Sequence, residues 1–206
     1  MTETPRLLVI GSANMDLAVT IDRLPAPGEN RQGRGYHYVP GGKGANQAVA
    51  ALRMGAEVTF AACVGHDRHG DTLCERLAAE GMRIDRIVRD DAATGLAVIT
   101  VEDTGENRIV VFPGANRQLR PTHVEEAFAS GNFDAVMLQF EVSDTVIECA
   151  LGCAGEHSVP VIVDAGPARA FPCERLAGAA IVSPNQSEDA AQADRPCETG
   201  SQAGQA

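Results

Sequence analysis

The sequence predicts an α/β fold: a doubly wound, mostly parallel sheet with helices on both faces, plus a small β-sheet lid. Three observations carry this expectation. Short apolar runs of strand length ("RLLVIGS", "EVTFAACVG", "AVMLQF", "PVIVDAG", "AAIVSP") alternate with amphipathic helical segments. Polar and acidic residues gather just after those runs, in "GSANMD", "QFE", "DAG" and "SPN", at the carboxyl edge where such sheets hold ligands. Further alternating runs, at residues 17–21, 34–39 and 95–113, break the strand–helix rhythm and stand apart as a separate lid.

Taken in order, "RLLVIGS" is a first strand ending at a glycine, and "LAVTI" and "RGYHYVP" follow as lid strands. Ala45, Ala48, Val49 and Leu52 then recur at helical spacing until Gly55 stops the helix. "EVTFAACVG" reads as a buried strand. "GDTLCERLAAEGM" is the helix after it, with Leu73 and Leu77 on one face and Gly81 at its end. "GLAVITVE" and "RIVVFPG", joined by the turn residues "DTGEN", form a β-hairpin. "PTHVEEAFAS" is a helix with Pro121 in its first turn, and "SDTVIECALGCAGEH" one opened by a Ser/Asp cap. Residues 189–206 contain no Val, Ile, Leu, Met or Phe. They cannot bury enough apolar area to offset their ordering entropy and are expected to be a disordered tail after a single domain over 1–188.

With 206 residues, 44% hydrophobic and 22% charged, the chain has an ordinary globular composition. A formal net charge of −11 argues against nucleic acid or an anionic membrane as partner. No apolar run approaches a membrane span, and "MTETPRLLVIGS" lacks the order of a signal peptide. The six cysteines form no CxxC pair and read as reduced, mostly buried thiols, which places the chain in the cytoplasm.

The stretch "PGGKGANQAVAA" puts two glycines, a lysine and an asparagine at the mouth of a helix. It is not a P-loop, since His37 stands where that motif needs its first glycine and Gly44 where it needs Ser or Thr. Gly41 and Gly42 would let the backbone approach a ligand closely, beside unpaired helix amides, Lys43 and Asn46; a plain glycine-rich helix entry fits equally well. Asn14 and Asp16 could hold vicinal hydroxyls at the sheet edge, although spacing alone favours an Asx turn. Glu141 sits at a comparable edge, with a solvated loop acid as its plainer reading. Asn185 and Glu188, three apart, suit a helix cap better than a water-mediated metal site. His66 and His69 have H-x-x-H spacing without a third ligand nearby, and Cys149 and Cys153 read as packing residues.

Together, "GSANMDL", "PGGKGANQAVAA", "VGHDRHGD", "VVFPGANRQL", "LQFE" and "SPNQSE" resemble the ribokinase family of PfkB-type carbohydrate kinases over residues 6–188. "GGKGANQA" is the most specific of these and points to ribose. The resemblance implies that Asn14, Asp16, Gly41, Gly42, Lys43, Asn46 and Glu141 hold the sugar. It implies that Asn185 and Glu188 form an N-x-x-E element organising magnesium and phosphate, with Glu188 reaching the metal through water. It further implies a lid that forms a homodimer contact, and transfer of the γ-phosphoryl of ATP to a primary hydroxyl, with Mg2+ and a monovalent cation (K+) as cofactors. The family's base and anion hole lie in a "GAGD"-type segment, and no such run occurs here. The C-terminal part of the family fold is therefore expected to be missing and these residues to be inactive alone. Two alternatives stand beside a ribose kinase: a non-catalytic sugar-binding or dimer-decoy chain, and a kinase of fructose or a nucleoside.

Overall fold

The computed structural model describes residues 4–192. In chain order its strands are β1 (Arg6–Ile10), β2 (Asn14–Ile21), β3 (Gly35–Gly41), β4 (Glu57–Gly65), β5 (Ile87–Asp90), β6 (Gly95–Glu102), β7 (Asn107–Phe112), β8 (Ala135–Gln139), β9 (Val161–Asp164) and β10 (Ile181–Ser183). Its α-helices are α1 (Lys43–Arg53), α2 (Arg68–Ala79), α3 (Pro121–Phe128), α4 (Asp144–Glu156) and α5 (Gln186–Gln192). None of the described helices is long and apolar enough to cross a membrane.

Six strands form the main sheet in the order β10-β9-β8-β1-β4-β5, and every pairing in it is parallel. The chain builds outward from β1 in one direction through β4 and β5, then in the other through β8, β9 and β10. The order reverses at β1, so the carboxyl end of that strand opens on the crevice where doubly wound folds bind ligands. Strand alternation explains the double covering. Leu8 and Ile10 face one core with Val136, Leu138, Val146 and Ile147, while Val9 faces the other with Phe60, Leu73 and Leu77. Helices α3 and α4 cover the first face, and α1 and α2 the second.

The lid is a four-stranded sheet in the order β3-β2-β6-β7. Strands β6 and β7 form the expected antiparallel hairpin, and β2 pairs antiparallel with β3 but parallel with β6. Asp67 ties this sheet to the body. Its Oδ1 accepts from the Gly70 amide at 2.8 Å, capping α2, and its Oδ2 accepts from the Thr94 amide at 2.7 Å, where the lid hairpin begins.

The structure corrects several details of the sequence reading. β2 starts at Asn14, so Asn14 and Asp16 are strand residues and not an Asx turn. Ile87–Asp90 is an edge strand that the sequence pattern does not announce, because four half-buried residues are too few to show a period. The boundary at 189 falls inside α5: the Asp189 amide donates to the Asn185 carbonyl at 2.8 Å, and Ala190 is buried. Residues 193–206 of the expected tail lie outside the described residues.

Candidate functional site

The opening turn of α1 is satisfied by the loops after β1 and β8. The Lys43 amide donates to Glu141 Oε2 at 2.9 Å, the Gly44 amide to Ser12 Oγ at 3.3 Å, and the Ala45 amide to the Ser12 carbonyl at 2.9 Å. Ser12 Oγ in turn donates to Glu141 Oε2. A carboxylate at a helix N-terminus is favoured by the helix dipole as well as by these bonds. This corrects the expectation of amides left open for a ligand, because the protein occupies them itself. Glu141 is not a solvated loop acid; it locks two segments together at the sheet edge.

The glycines make that lock possible. Gly42 has φ +91°, and a Cβ there would meet the Asn14 nitrogen at 2.8 Å and the Ser12 carbonyl oxygen at 3.0 Å. A Cβ at Gly41 would collide with the Asp16 carboxylate. Asn14, Asp16, Gly41, Gly42 and Glu141 therefore converge on one point, at the reversal of strand order.

Asn14 is buried and its Oδ1 accepts from Asn116 Nδ2 at 2.7 Å, while Asn116 Oδ1 accepts from the Ala13 amide at 2.8 Å. Asn14, Asn116 and Glu141 border a hollow of about 550 Å³ roofed by Val111 of the lid. Asp16 Oδ1 is buried with no hydrogen-bond partner among the described residues, an acceptor that a ligand hydroxyl would satisfy. Burial pushes the Asp16 carboxyl above its ordinary 3.8, and repulsion from Glu141 adds to the rise. The folded chain thus holds that proton more tightly than the unfolded chain does. Stability falls as pH climbs from 3.8 through the raised value, and the penalty is complete above it. Asp16→Asn should accordingly raise the melting temperature at neutral pH. The difference from the unsubstituted chain should vanish in melts run below 3.8.

Lys43 and Asn46 point elsewhere. Lys43 Nζ lies 3.0 Å from Asp164 Oδ2 and 3.8 Å from Glu188 Oε1, facing a second hollow of about 470 Å³ that also takes in Asn185. Asn46 is exposed and borders a groove with Tyr38, Pro40 and Arg76. Asn185 and Glu188 make a reciprocal cap. Asn185 Oδ1 accepts from the Glu188 amide at 2.9 Å, and Glu188 Oε2 from the Asn185 amide at 2.8 Å. Its other oxygen, Oε1, faces the Lys43 ammonium. No group of three or more His, Cys, Asp or Glu side chains able to hold a metal exists among the described residues. The donor set here, two carboxylates with an ammonium between them, fits a divalent cation held through water and not a direct cage.

His66 and His69 join no metal cluster among the described residues. The described cysteines are unbridged; Cys63 and Cys74 are buried as expected, whereas Cys173 is exposed. Burial pushes the thiol of Cys63 up to about 11 and that of Cys149 to about 12, which suits packing and not nucleophilic work. Sequence reasoning missed Ser12, Asn116 and Asp164 as individual site residues. Ser12 and Asp164 lie inside segments quoted for their position after a strand, and Asn116 inside "VVFPGANRQL", quoted only for the resemblance; those were the available signals.

A family model described as pfkB family carbohydrate kinase matches residues 4–206. Ribokinase of Bacillus subtilis is 37% identical over 184 residues, which are 88% of this chain and 62% of that protein. The bifunctional ribokinase/ribose-5-phosphate isomerase A of Fructilactobacillus sanfranciscensis is 38% identical, over 90% of this chain and 35% of its own. The solved structure of Arabidopsis thaliana ribokinase complexed with ribose and ATP superposes with a TM-score of 0.81 at 32% identity, covering 96% of this chain and 65% of that one. The chain thus spans less than two thirds of the length of these relatives.

Proposed function

Since the chain belongs to the pfkB family of carbohydrate kinases, we propose that it forms the sugar-gripping part of a kinase that phosphorylates ribose from ATP. The observation that carries this reading is the lock of Glu141 on Ser12 and the Lys43 amide. It holds Asn14, Asp16, Gly41 and Gly42 around one point at the switch of the sheet. In this reading Asn14 and Asp16 hold vicinal hydroxyls, with the orphaned Asp16 Oδ1 accepting one of them. Gly41 and Gly42 allow the sugar to approach the backbone. Glu141 fixes the geometry from behind and offers its other oxygen. Lys43 links the grip to the phosphate side through Asp164 and Glu188, and Asn46, which borders the neighbouring groove with Tyr38 and Pro40, is assigned to the sugar by the family resemblance.

Asp164, Asn185 and Glu188 would hold Mg2+ through water, and the ion would neutralise charge on the transferring phosphates. No residue of this chain is assigned to a monovalent cation. The lid, with Ile109, Val110, Val111 and Phe112 exposed, is the surface proposed for a homodimer contact. The strands and helices together are read as one domain that runs through α5 to Gln192. Identity to ribokinases favours ribose over a nucleoside, since a nucleoside kinase of Burkholderia thailandensis in complex with inosine shares the fold at only 19% identity.

These 206 residues hold no "GAGD" run, and each absent element of charge stabilisation is worth about 3–4 kcal/mol, a factor of several hundred in rate. The 206-residue polypeptide should therefore release no ADP in response to ribose in a coupled assay. Ribose-dependent ADP release above background would refute the assignment of the grip and the transfer machinery to separate parts of the sequence.

A further inference from the structure

We propose that the hollow between lid strand β3 and helix α2 is a binding site for a phosphate group. Arg68, Thr72 and Arg76 recur every four residues along one face of α2. With His69 and the lid residue Tyr38 they border a hollow of about 410 Å³. Neither arginine has an ion pair or a side-chain hydrogen bond among the described residues. In a chain with 28 acidic against 17 basic residues, two unpaired guanidinium groups over one hollow are conspicuous. Of the acids on and beside the helix, Asp67 caps it, Asp71 pairs with Arg89 at 3.0 Å and Glu80 with Arg53 at 2.6 Å, and the exposed Glu75 pairs with neither arginine among the described residues. Arg68 also begins α2, so its charge adds to the positive end of the helix dipole, a cost that an anion would relieve.

The chemistry suits phosphate. Two guanidinium forks, the Thr72 hydroxyl and an imidazole N–H offer more donors than a carboxylate can use. Tyr38 packs against His69 with ring centroids 5.2 Å apart and planes tilted by 39°, joining the lid to the body at this spot. The location gives the site a consequence. Met15, Tyr38 and Pro40 line it, and side chains alternate along strands. Met15 therefore lies on the face of β2 opposite Asn14 and Asp16, and Pro40 opposite Gly41 on β3. A bound phosphate would pin, from behind, the two strands that carry the sugar-gripping residues. The site itself does not depend on which sugar, if any, the grip takes.

An amide-resolved NMR titration of the 206-residue chain with inorganic phosphate and with ribose 5-phosphate, at fixed ionic strength, tests this. Saturable shifts are expected along Arg68–Arg76 and at Tyr38. Arg68→Gln/Arg76→Gln should weaken binding at least about tenfold, and Arg108→Gln should leave it unchanged. Tighter binding of ribose 5-phosphate would identify a sugar phosphate as the source, and equal binding free phosphate; both support the site. Undiminished affinity in the double variant, shifts confined to Asn185–Glu188, or no saturation by concentrations on the order of 10 mM would overturn it. Both arginines are exposed, so unaltered melting of the variants will show that the fold is intact.

Discussion

Glu141→Ala is expected to unfold at markedly lower urea and to lose sugar binding together. The carboxylate accepts from the Ser12 hydroxyl and from the Lys43 amide, both charge-assisted, at the positive end of α1. Removing it leaves the buried Ser12 hydroxyl and the half-buried Lys43 amide without this acceptor and deletes a favourable dipole interaction. With each such bond worth about 1.5–3 kcal/mol, a loss of roughly 3 kcal/mol is expected, a large fraction of the stability of a domain. Glu141→Gln keeps an acceptor oxygen, so it should recover most of the stability while still binding sugar weakly. Urea unfolding of the three chains separates these effects. A change within about 0.5 kcal/mol for Glu141→Ala would show instead a surface acid with no structural part.

Gly42→Ala should cost as much or more, for a different reason. The residue has φ +91° and ψ 133°, at the edge of the region that only glycine occupies comfortably. The added methyl would press on the Asn14 nitrogen, the Ala13 Cα and the Ser12 carbonyl oxygen at 2.8–3.0 Å, all of them backbone atoms that cannot rotate away. Backbone strain of roughly 1–3 kcal/mol and overpacking of a similar size give an expected loss of about 3–5 kcal/mol. Gly55→Ala is the control, since Gly55 has φ +93° with nothing within 4 Å of its Cβ position. It should cost only about 1–2 kcal/mol. Equal losses at the two positions, read from thermal or urea unfolding, would mean that the contact with the β1 loop is not what Gly42 protects.

Much of this architecture was legible in the sequence. β1, β4, β8 and β9 are apolar enough to be seen as buried strands, β10 was legible as a strand although its residues are exposed, and the lid hairpin declares itself through its turn residues. β5 did not, because it is short and half-buried on both faces. The convergence of Asn14, Asp16, Gly41, Gly42 and Glu141 followed from their places after strands, which a doubly wound sheet brings to one edge. What the sequence could not show was direction. Lys43 sends its backbone amide to Glu141 and its ammonium to Asp164, so one residue serves two hollows. The helix amides read as open to a ligand were closed by Ser12, whose part depends on a loop path that no periodicity encodes.

This arrangement is proposed to grip ribose. Titration calorimetry of the 206-residue chain with D-ribose tests it most directly, with Glu141→Ala and D-fructose alongside. Saturable binding of one ribose per chain is expected, weakened at least about tenfold by the substitution, with weaker binding of fructose. A chain that melts cooperatively yet gives neither binding heat nor a ribose-dependent rise in melting temperature would contradict it.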